Sequence, residues 1–103
     1  MGIFDFIFGI KKRQISELLE KGAIILDVRT QREWDKDHIE NAKHIPLDDL
    51  KNHMAELQKL DKPVITCCAS GARSAKAAEY LALNNIIATN GGSWLSLKTK
   101  MPI

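Results

Sequence analysis

Two stretches constrain this chain more than any others. Ala23-Ile24-Ile25-Leu26 and Val64-Ile65-Thr66-Cys67 are runs of β-forming residues in which no strongly polar face alternates with an apolar one. Strands of that kind are covered on both sides, as in parallel sheets whose crossover helices lie over each face. The rest of the sequence supplies those helices. Ile15 to Glu20 reads as a helix, with Ser16 near its start and Gly22 just past its end. Thr30-Gln31-Arg32-Glu33 matches the reciprocal capping box and predicts a short helix starting at Thr30. A turn through Asp37 and Asn41 and an extended piece at Lys43-His44-Ile45 lead into Pro46. The next helix carries the stripe Leu47, Leu50, Met54 and Leu57. Arg73 to Asn84, rich in Ala and Leu, reads as a further helix, and Ile86-Ile87-Ala88 as a last strand. Gly91-Gly92 breaks the chain before a short amphipathic close around Trp94, Leu95 and Leu97. The sum is an α/β fold: a small parallel β-sheet flanked by helices on both faces and wound by right-handed crossovers. In such sheets ligands sit beyond the carboxyl ends of the strands. For the second run that end is Cys68.

Length and charge narrow the functional classes. At 103 residues the chain has room for one domain, with one core and one cleft. Lys plus Arg number 15 and Asp plus Glu 13, a net charge of +2 that is too balanced for nucleic-acid binding. Cys67 and Cys68 are adjacent and close no useful loop, which excludes a disulfide scaffold and points to a reducing, cytoplasmic setting. Residues 1–13 form an N-terminal apolar and basic segment ahead of a single domain at 14–103. The apolar cluster in residues 1–10 is half the about 20 residues of a spanning helix and is interrupted by Asp5. Lys11-Lys12-Arg13 follow the apolar run, the reverse of a secretory signal. The segment is expected to pack on the domain or to stay poorly ordered. The sharper alternative is weak membrane contact through residues 1–13, phenylalanines in lipid and the basic triplet at the headgroups.

The stretch after the second strand carries the chemistry. A buried strand delivers Cys68 to the sheet edge, the small residues Ala69-Ser70-Gly71-Ala72 follow, and a helix begins at Arg73-Ser74. Small residues let successive backbone N–H groups turn inward as an anion-binding nest, and the helix adds its positive end and unpaired donors. A thiol in that field ionises more readily than a free one, because the thiolate is the stabilised species. Arg73 at the lip adds a permanent charge with the fork geometry for an oxyanion. The pattern describes an activated thiolate beside an oxyanion site.

Cys68-Ala69-Ser70-Gly71-Ala72-Arg73-Ser74 resembles the C-x-x-G-x-R-S active-site loop of the rhodanese (sulfurtransferase) superfamily. Asp27-Val28-Arg29-Thr30 with Glu33 and Trp34 looks like that family's D-V-R segment and acidic-aromatic pair. His38-Ile39, Asn41-Ala42 and His44-Ile45-Pro46 are similar to its H-I-x-x-A-x-x-I-P stretch, and Gly91-Gly92 with Trp94 to its closing motif. The motifs run in family order over about residues 14 to 97, which makes the match specific where one motif alone is weak. The resemblance implies a rhodanese-like domain with Cys68 as sulfur acceptor. Cys68 would take a sulfane sulfur from a small sulfur-containing anion such as thiosulfate, carry it as a persulfide, and yield it to cyanide or a thiol. No cofactor is implied, and a protein sulfur acceptor is a further possible partner. Ala69, Ser70, Gly71, Ala72 and Arg73 would cradle the outer sulfur. Asp27, Arg29 and Glu33 read as a buried polar brace, with Ser74 in support. Ala69 and Ala72 stand where many members carry basic or bulky residues, which leaves anion capture to Arg73 and backbone dipoles. Asp37 replaces the usual Gly before His38, at a turn whose left-handed conformation Asp tolerates.

Two rival readings stand beside this one. In the first, Cys68 serves a carrier or redox-sensing module for a protein partner, without turnover of small molecules. In the second, counting from Cys67 gives C-x5-R, the spacing of cysteine-dependent phosphatases and arsenate reductases, where counting from Cys68 gives the sulfurtransferase C-x4-R. Thr66 occupies the place where many such phosphatases have His. Cys67 itself reads as a small buried strand residue, with a resolving thiol as the alternative. His38, His44 and His53 lack metal-ligand spacing to one another or to the cysteines, so no metal site is expected and their roles read as structural. Asp35, Asp37, Asp48 and Asp49 read as solvated or capping, and Trp34 and Trp94 as packing residues. Gly91-Gly92 lacks the phosphate-loop pattern.

Overall fold

The computed structural model describes residues 3–101, with side chains from residue 11 onward. Among them, β1 (Ile24–Asp27), β2 (Lys43–His44), β3 (Val64–Cys68) and β4 (Ala88–Ser93) form one sheet in the order β2-β1-β3-β4. All neighbouring pairs are parallel. The helices are α1 (Ile3–Glu20), α2 (Gln31–Lys36), α3 (Met54–Leu60), which continues a 3-10 helix at Leu47–His53, α4 (Ala72–Leu83) and α5 (Trp94–Lys100). The expected parallel α/β architecture is therefore the one observed.

Strand alternation divides the core into two layers. Leu26, Val64 and Cys68 face one side, where Leu50, Met54, Leu57, Ala77 and Leu81 cover them from the 3-10 helix, α3 and α4. Ile25, Ile65 and Cys67 face the other, under Ile15 of α1 and Leu97 of α5. Each large aliphatic side chain so enclosed contributes about 1.5–3 kcal/mol relative to exposure. The two adjacent cysteines are thus separated by the sheet itself, one in each layer.

Local signals account for most element ends. Thr30 caps α2: its hydroxyl accepts from the Glu33 amide, while the Glu33 carboxylate accepts from the Thr30 amide. Gly22, at φ 86°, closes α1, with its own N–H donating to the Leu19 carbonyl and the Ala23 N–H to that of Leu18. Of the stripe Leu47, Leu50, Met54 and Leu57, the last three are buried and Leu47 is half-buried against the same core, and the first two turns wind as a 3-10 helix.

Three expectations are corrected. The first helix begins at Ile3, not Ile15, because the upstream stretch holds no proline and only Gly9 disfavours helix within it. The last strand is Ala88–Ser93, not Ile86–Ala88; Ile86 packs into the core ahead of it, and Gly91-Gly92 lie inside the strand. Asp37 is extended (φ −173°), and the left-handed residue of that turn is Asn41 at φ 70°. The side chains of residues 1–10, on which the membrane reading rests, lie outside the described residues. Among the described residues no helix is long and apolar enough to cross a membrane.

Candidate active site

The sheet brings one end of three strands together at Cys68. β1 ends beside it, with Asp27 opposite Cys67 in register. β4 flanks the other side through a bulge: Thr66 pairs Asn90, but Cys68 pairs Ser93, so β4 has one residue more than β3 over this stretch. Glycine is needed at the bulge. A Cβ on Gly91 would stand 2.7 Å from the Thr66 carbonyl oxygen and 2.9 Å from an Ile65 methyl.

Past Cys68 the chain turns at Gly71, whose φ of 97° suits glycine, and enters α4 without a side-chain cap. The free donors of the turn point at sulfur instead. Cys68 Sγ accepts from the Gly71 N–H at 3.0 Å, the Ser74 N–H at 3.4 Å and the Ser74 hydroxyl at 3.4 Å. Burial by itself pushes the Cys68 thiol up; the Ser74 hydroxyl and the amides of Ser74, Gly71 and Ser70 outweigh it and leave the thiol below its ordinary value. The sulfur is fully enclosed, while Ala69 and Ser70 above it are exposed.

The neighbouring thiol behaves oppositely. Cys67 is pushed up to about 12 by burial, and the Asp27 carboxylate adds to the effect. A thiol this weakly acidic supplies very little thiolate near neutral pH, which, with its burial in the layer opposite Cys68, argues against Cys67 as the nucleophile. Because reactivity requires the deprotonated form, it grows with pH and levels off above the thiol's own midpoint. Alkylation of Cys68 by a small reagent, followed against pH in a Cys67→Ala background, is therefore expected to show a midpoint below the ordinary thiol value of 9.0. A midpoint at or above 9.0 would contradict this electrostatic account.

The other residues singled out in the sequence separate into two groups. Asp27 and Arg29 form a buried pair: the carboxylate accepts from Arg29 Nε at 2.9 Å and meets Nη2 at 2.8 Å. Arg29 Nη2 also donates to the Asp37 carbonyl at 2.7 Å, and its guanidinium lies 4.9 Å from the Trp94 ring centroid. Glu33 is not part of that buried pair. It is about a third exposed and holds Arg73 by two bonds, Nη1–Oε1 at 2.7 Å and Nη2–Oε2 at 2.9 Å. The hydrogen bonds from Arg73 hold the Glu33 carboxyl down to about 2. Arg73 thus stands at the lip of the site, but its fork is occupied by Glu33.

The histidines take structural positions. His38 Nδ1 meets the Trp34 carbonyl at 2.8 Å and its ring stacks on Trp34 at 3.6 Å. His44 Nε2 meets the Arg29 carbonyl at 2.8 Å. His53 bridges Asp49 and Glu56 on the surface. Among the described residues no group of three His, Cys, Asp or Glu side chains could hold a metal ion.

Sequence reasoning missed Asn90. Its Oδ1 accepts from the Ser74 hydroxyl at 2.7 Å and the Gly92 N–H at 2.9 Å, and its Nδ2 donates to the Gly71 carbonyl at 3.2 Å. Asn90 pairs Thr66 in register, so strand alternation places it on the face that Thr66 presents to Ser74 of α4; with β4 not read as a strand at this position, no local signal in the sequence marked it.

Comparison with known proteins agrees with this geometry. The family model described as "Rhodanese-like domain" matches residues 11–96. The thiosulfate sulfurtransferase GlpE of Pseudomonas syringae pv. syringae is 30% identical over 86 residues, covering 81% of this chain and 80% of that protein. Among solved structures, a rhodanese-like domain protein from Staphylococcus aureus superposes with a TM-score of 0.66 at 37% identity, covering 73% of this chain and 74% of that one. A rhodanese-related protein from Thermoplasma volcanium gives a TM-score of 0.64 at 33% identity, covering 84% and 86%. With the parallel sheet, the Cys68 loop and a family match across residues 11–96, the chain belongs to the rhodanese-like domain family of sulfurtransferases.

Proposed function

We propose that this protein is a sulfurtransferase that carries sulfane sulfur on Cys68. The observation that supports it most is the convergence of the Gly71 and Ser74 amides and the Ser74 hydroxyl on one sulfur atom. Such a nest stabilises negative charge wherever it sits, first on the thiolate and then on the outer sulfur of a persulfide. With thiosulfate as donor, the Cys68 thiolate attacks the outer sulfur. A Cys68 S–S bond forms, the S–S bond of thiosulfate breaks, and sulfite leaves with the electron pair. Cyanide or a thiolate then attacks the outer sulfur, and Cys68 departs as thiolate. Ala69, Ser70, Gly71, Ala72 and Arg73 line the path of the transferred atom. Two free vicinal thiols suit a reducing cytoplasm.

One observation favours a second reading. The Glu33–Arg73 pair cancels charge at the mouth. This weakens capture of a small dianion and fits sulfur relay to a protein thiol, which needs no anion site. Thiocyanate production from thiosulfate and cyanide separates the two. Steady turnover is the outcome expected of the enzyme; a stable persulfide discharged only by a protein thiol identifies a carrier. No sulfur uptake from thiosulfate or from a persulfide donor would overturn both.

A further inference from the structure

The Ser74 hydroxyl has a single proton and three acceptors in competition for it. Asn90 Oδ1 lies at 2.7 Å, a full-strength O–H···O distance, while Cys68 Sγ and the Gly92 carbonyl oxygen both lie at 3.4 Å, so Asn90 is the strongest competitor of the sulfur. The orientation of the Asn90 amide is fixed by its surroundings. Oδ1 must face the Gly92 N–H and Nδ2 the Gly71 carbonyl, since the reverse would set donor against donor and acceptor against acceptor. An amide oxygen is a better acceptor than a neutral thiol, whereas a thiolate outcompetes an amide because its bond is charge-assisted. Release of the Ser74 proton leaves Oδ1 paired, because the Gly92 N–H still donates to it.

We propose that Asn90 is a positioning residue that holds the Ser74 proton while Cys68 is a thiol and yields it when Cys68 ionises. Taking a sulfur and releasing it then each involve a rotation of one hydroxyl, with no buried polar atom left unpaired. Asn90 thereby opposes ionisation: the Ser74–Asn90 bond is lost each time the thiolate forms. This deepens the reading of Cys68 as the nucleophile and rests on it, but it concerns the thiol alone and not the identity of the sulfur donor.

The charged groups around Cys68 are Arg73 on α4, neutralised by Glu33 of α2, and the Asp27–Arg29 pair at the end of β1. None of them is hydrogen-bonded to Asn90, so substitution at Asn90 leaves the charges of the site in place, and comparison with and without the Ser74 hydroxyl separates its contribution from the Gly71 and Gly92 contacts of Asn90. The test is titration of the Cys68 thiolate by its ultraviolet absorbance in a Cys67→Ala background. Asn90→Ala removes the nearest competing acceptor and leaves only the distant Gly92 carbonyl, and the midpoint is expected to fall by about 0.5–1 pH unit, the worth of one hydrogen bond. In a Ser74→Ala background the same substitution is expected to shift nothing. Asn90→Leu, which keeps the side-chain volume, serves if the smaller residue unfolds the loop, and the same fall is expected. A role confined to bracing the loop predicts the opposite, a rise from loosened amide donors. An unchanged or raised midpoint, or an equal fall with and without the Ser74 hydroxyl, would overturn the proposal. Thiocyanate turnover is measured separately, so absence of sulfur transfer and absence of proton sharing are distinguishable results.

Discussion

Cys68→Ser is expected to lower sulfur transfer by on the order of 10³-fold or more, with the circular dichroism of the fold unchanged. The hydroxyl fits the same loop and accepts the same donors, but it does not ionise near neutral pH and forms no persulfide. Cys67→Ser is expected to retain activity within several-fold, despite being the next residue in the chain. The sheet places Cys67 in the opposite core layer, among Ile25, Ile65 and Leu97. Its thiol, held near 12 by burial and by Asp27, contributes very little thiolate to compete with Cys68. The comparison is read in initial rates with thiosulfate. Retention of about a tenth of the activity in Cys68→Ser, or its loss only in Cys67→Ser, contradicts the assignment.

The second large effect is on stability. Asp27→Asn leaves the shape of the β1 end intact but strands the Arg29 charge in a site where Asp27 and Arg29 are 1% and 4% exposed. Breaking a buried pair from one side costs about 3–5 kcal/mol, because the remaining charge keeps its desolvation penalty. At roughly 4–8 °C per kcal/mol for a domain of this size, even the lower figure lowers Tm by more than about 10 °C. The loss should reach the active site as well. Arg29 joins the Asp37 carbonyl, the Trp94 ring and, through its own carbonyl, His44, so the pair fastens β1 to the turn after α2, to β2 and to α5. Replacing both partners, Asp27→Leu with Arg29→Met, is expected to recover much of the stability. A drop of less than about 1 kcal/mol for Asp27→Asn in denaturant titration would show that the pair is not the brace described.

What the sequence disclosed follows the range of the forces involved. The two doubly apolar runs announced a covered parallel sheet, and the Thr30–Glu33 box announced α2, because those signals are complete within a few residues. β4 was misplaced for the converse reason. Asn90, Gly91 and Gly92 have poor strand propensity, and they are held in the sheet by pairing with β3, a tertiary effect that overrides local preference. Cys68 and its loop were legible, since nest and helix start are consecutive in the chain. The occupant of Arg73 was not. Glu33 lies 40 residues away, and only the fold brings its carboxylate to the guanidinium. The same holds for Asn90, which reaches Ser74 across 16 residues of helix and strand. Thus the cysteine proposed as the nucleophile and its loop stood out in the sequence, while Glu33 on Arg73 and Asn90 on Ser74 did not.

The most direct measurement is the intact mass of the protein after exposure to thiosulfate, compared for the wild type, Cys67→Ser and Cys68→Ser, with fragmentation to locate the modified residue. The account predicts the gain of one sulfur atom in the wild type and in Cys67→Ser, located on Cys68, absent from Cys68→Ser, and removed by cyanide. A sulfur located on Cys67, or retained in Cys68→Ser, would contradict it.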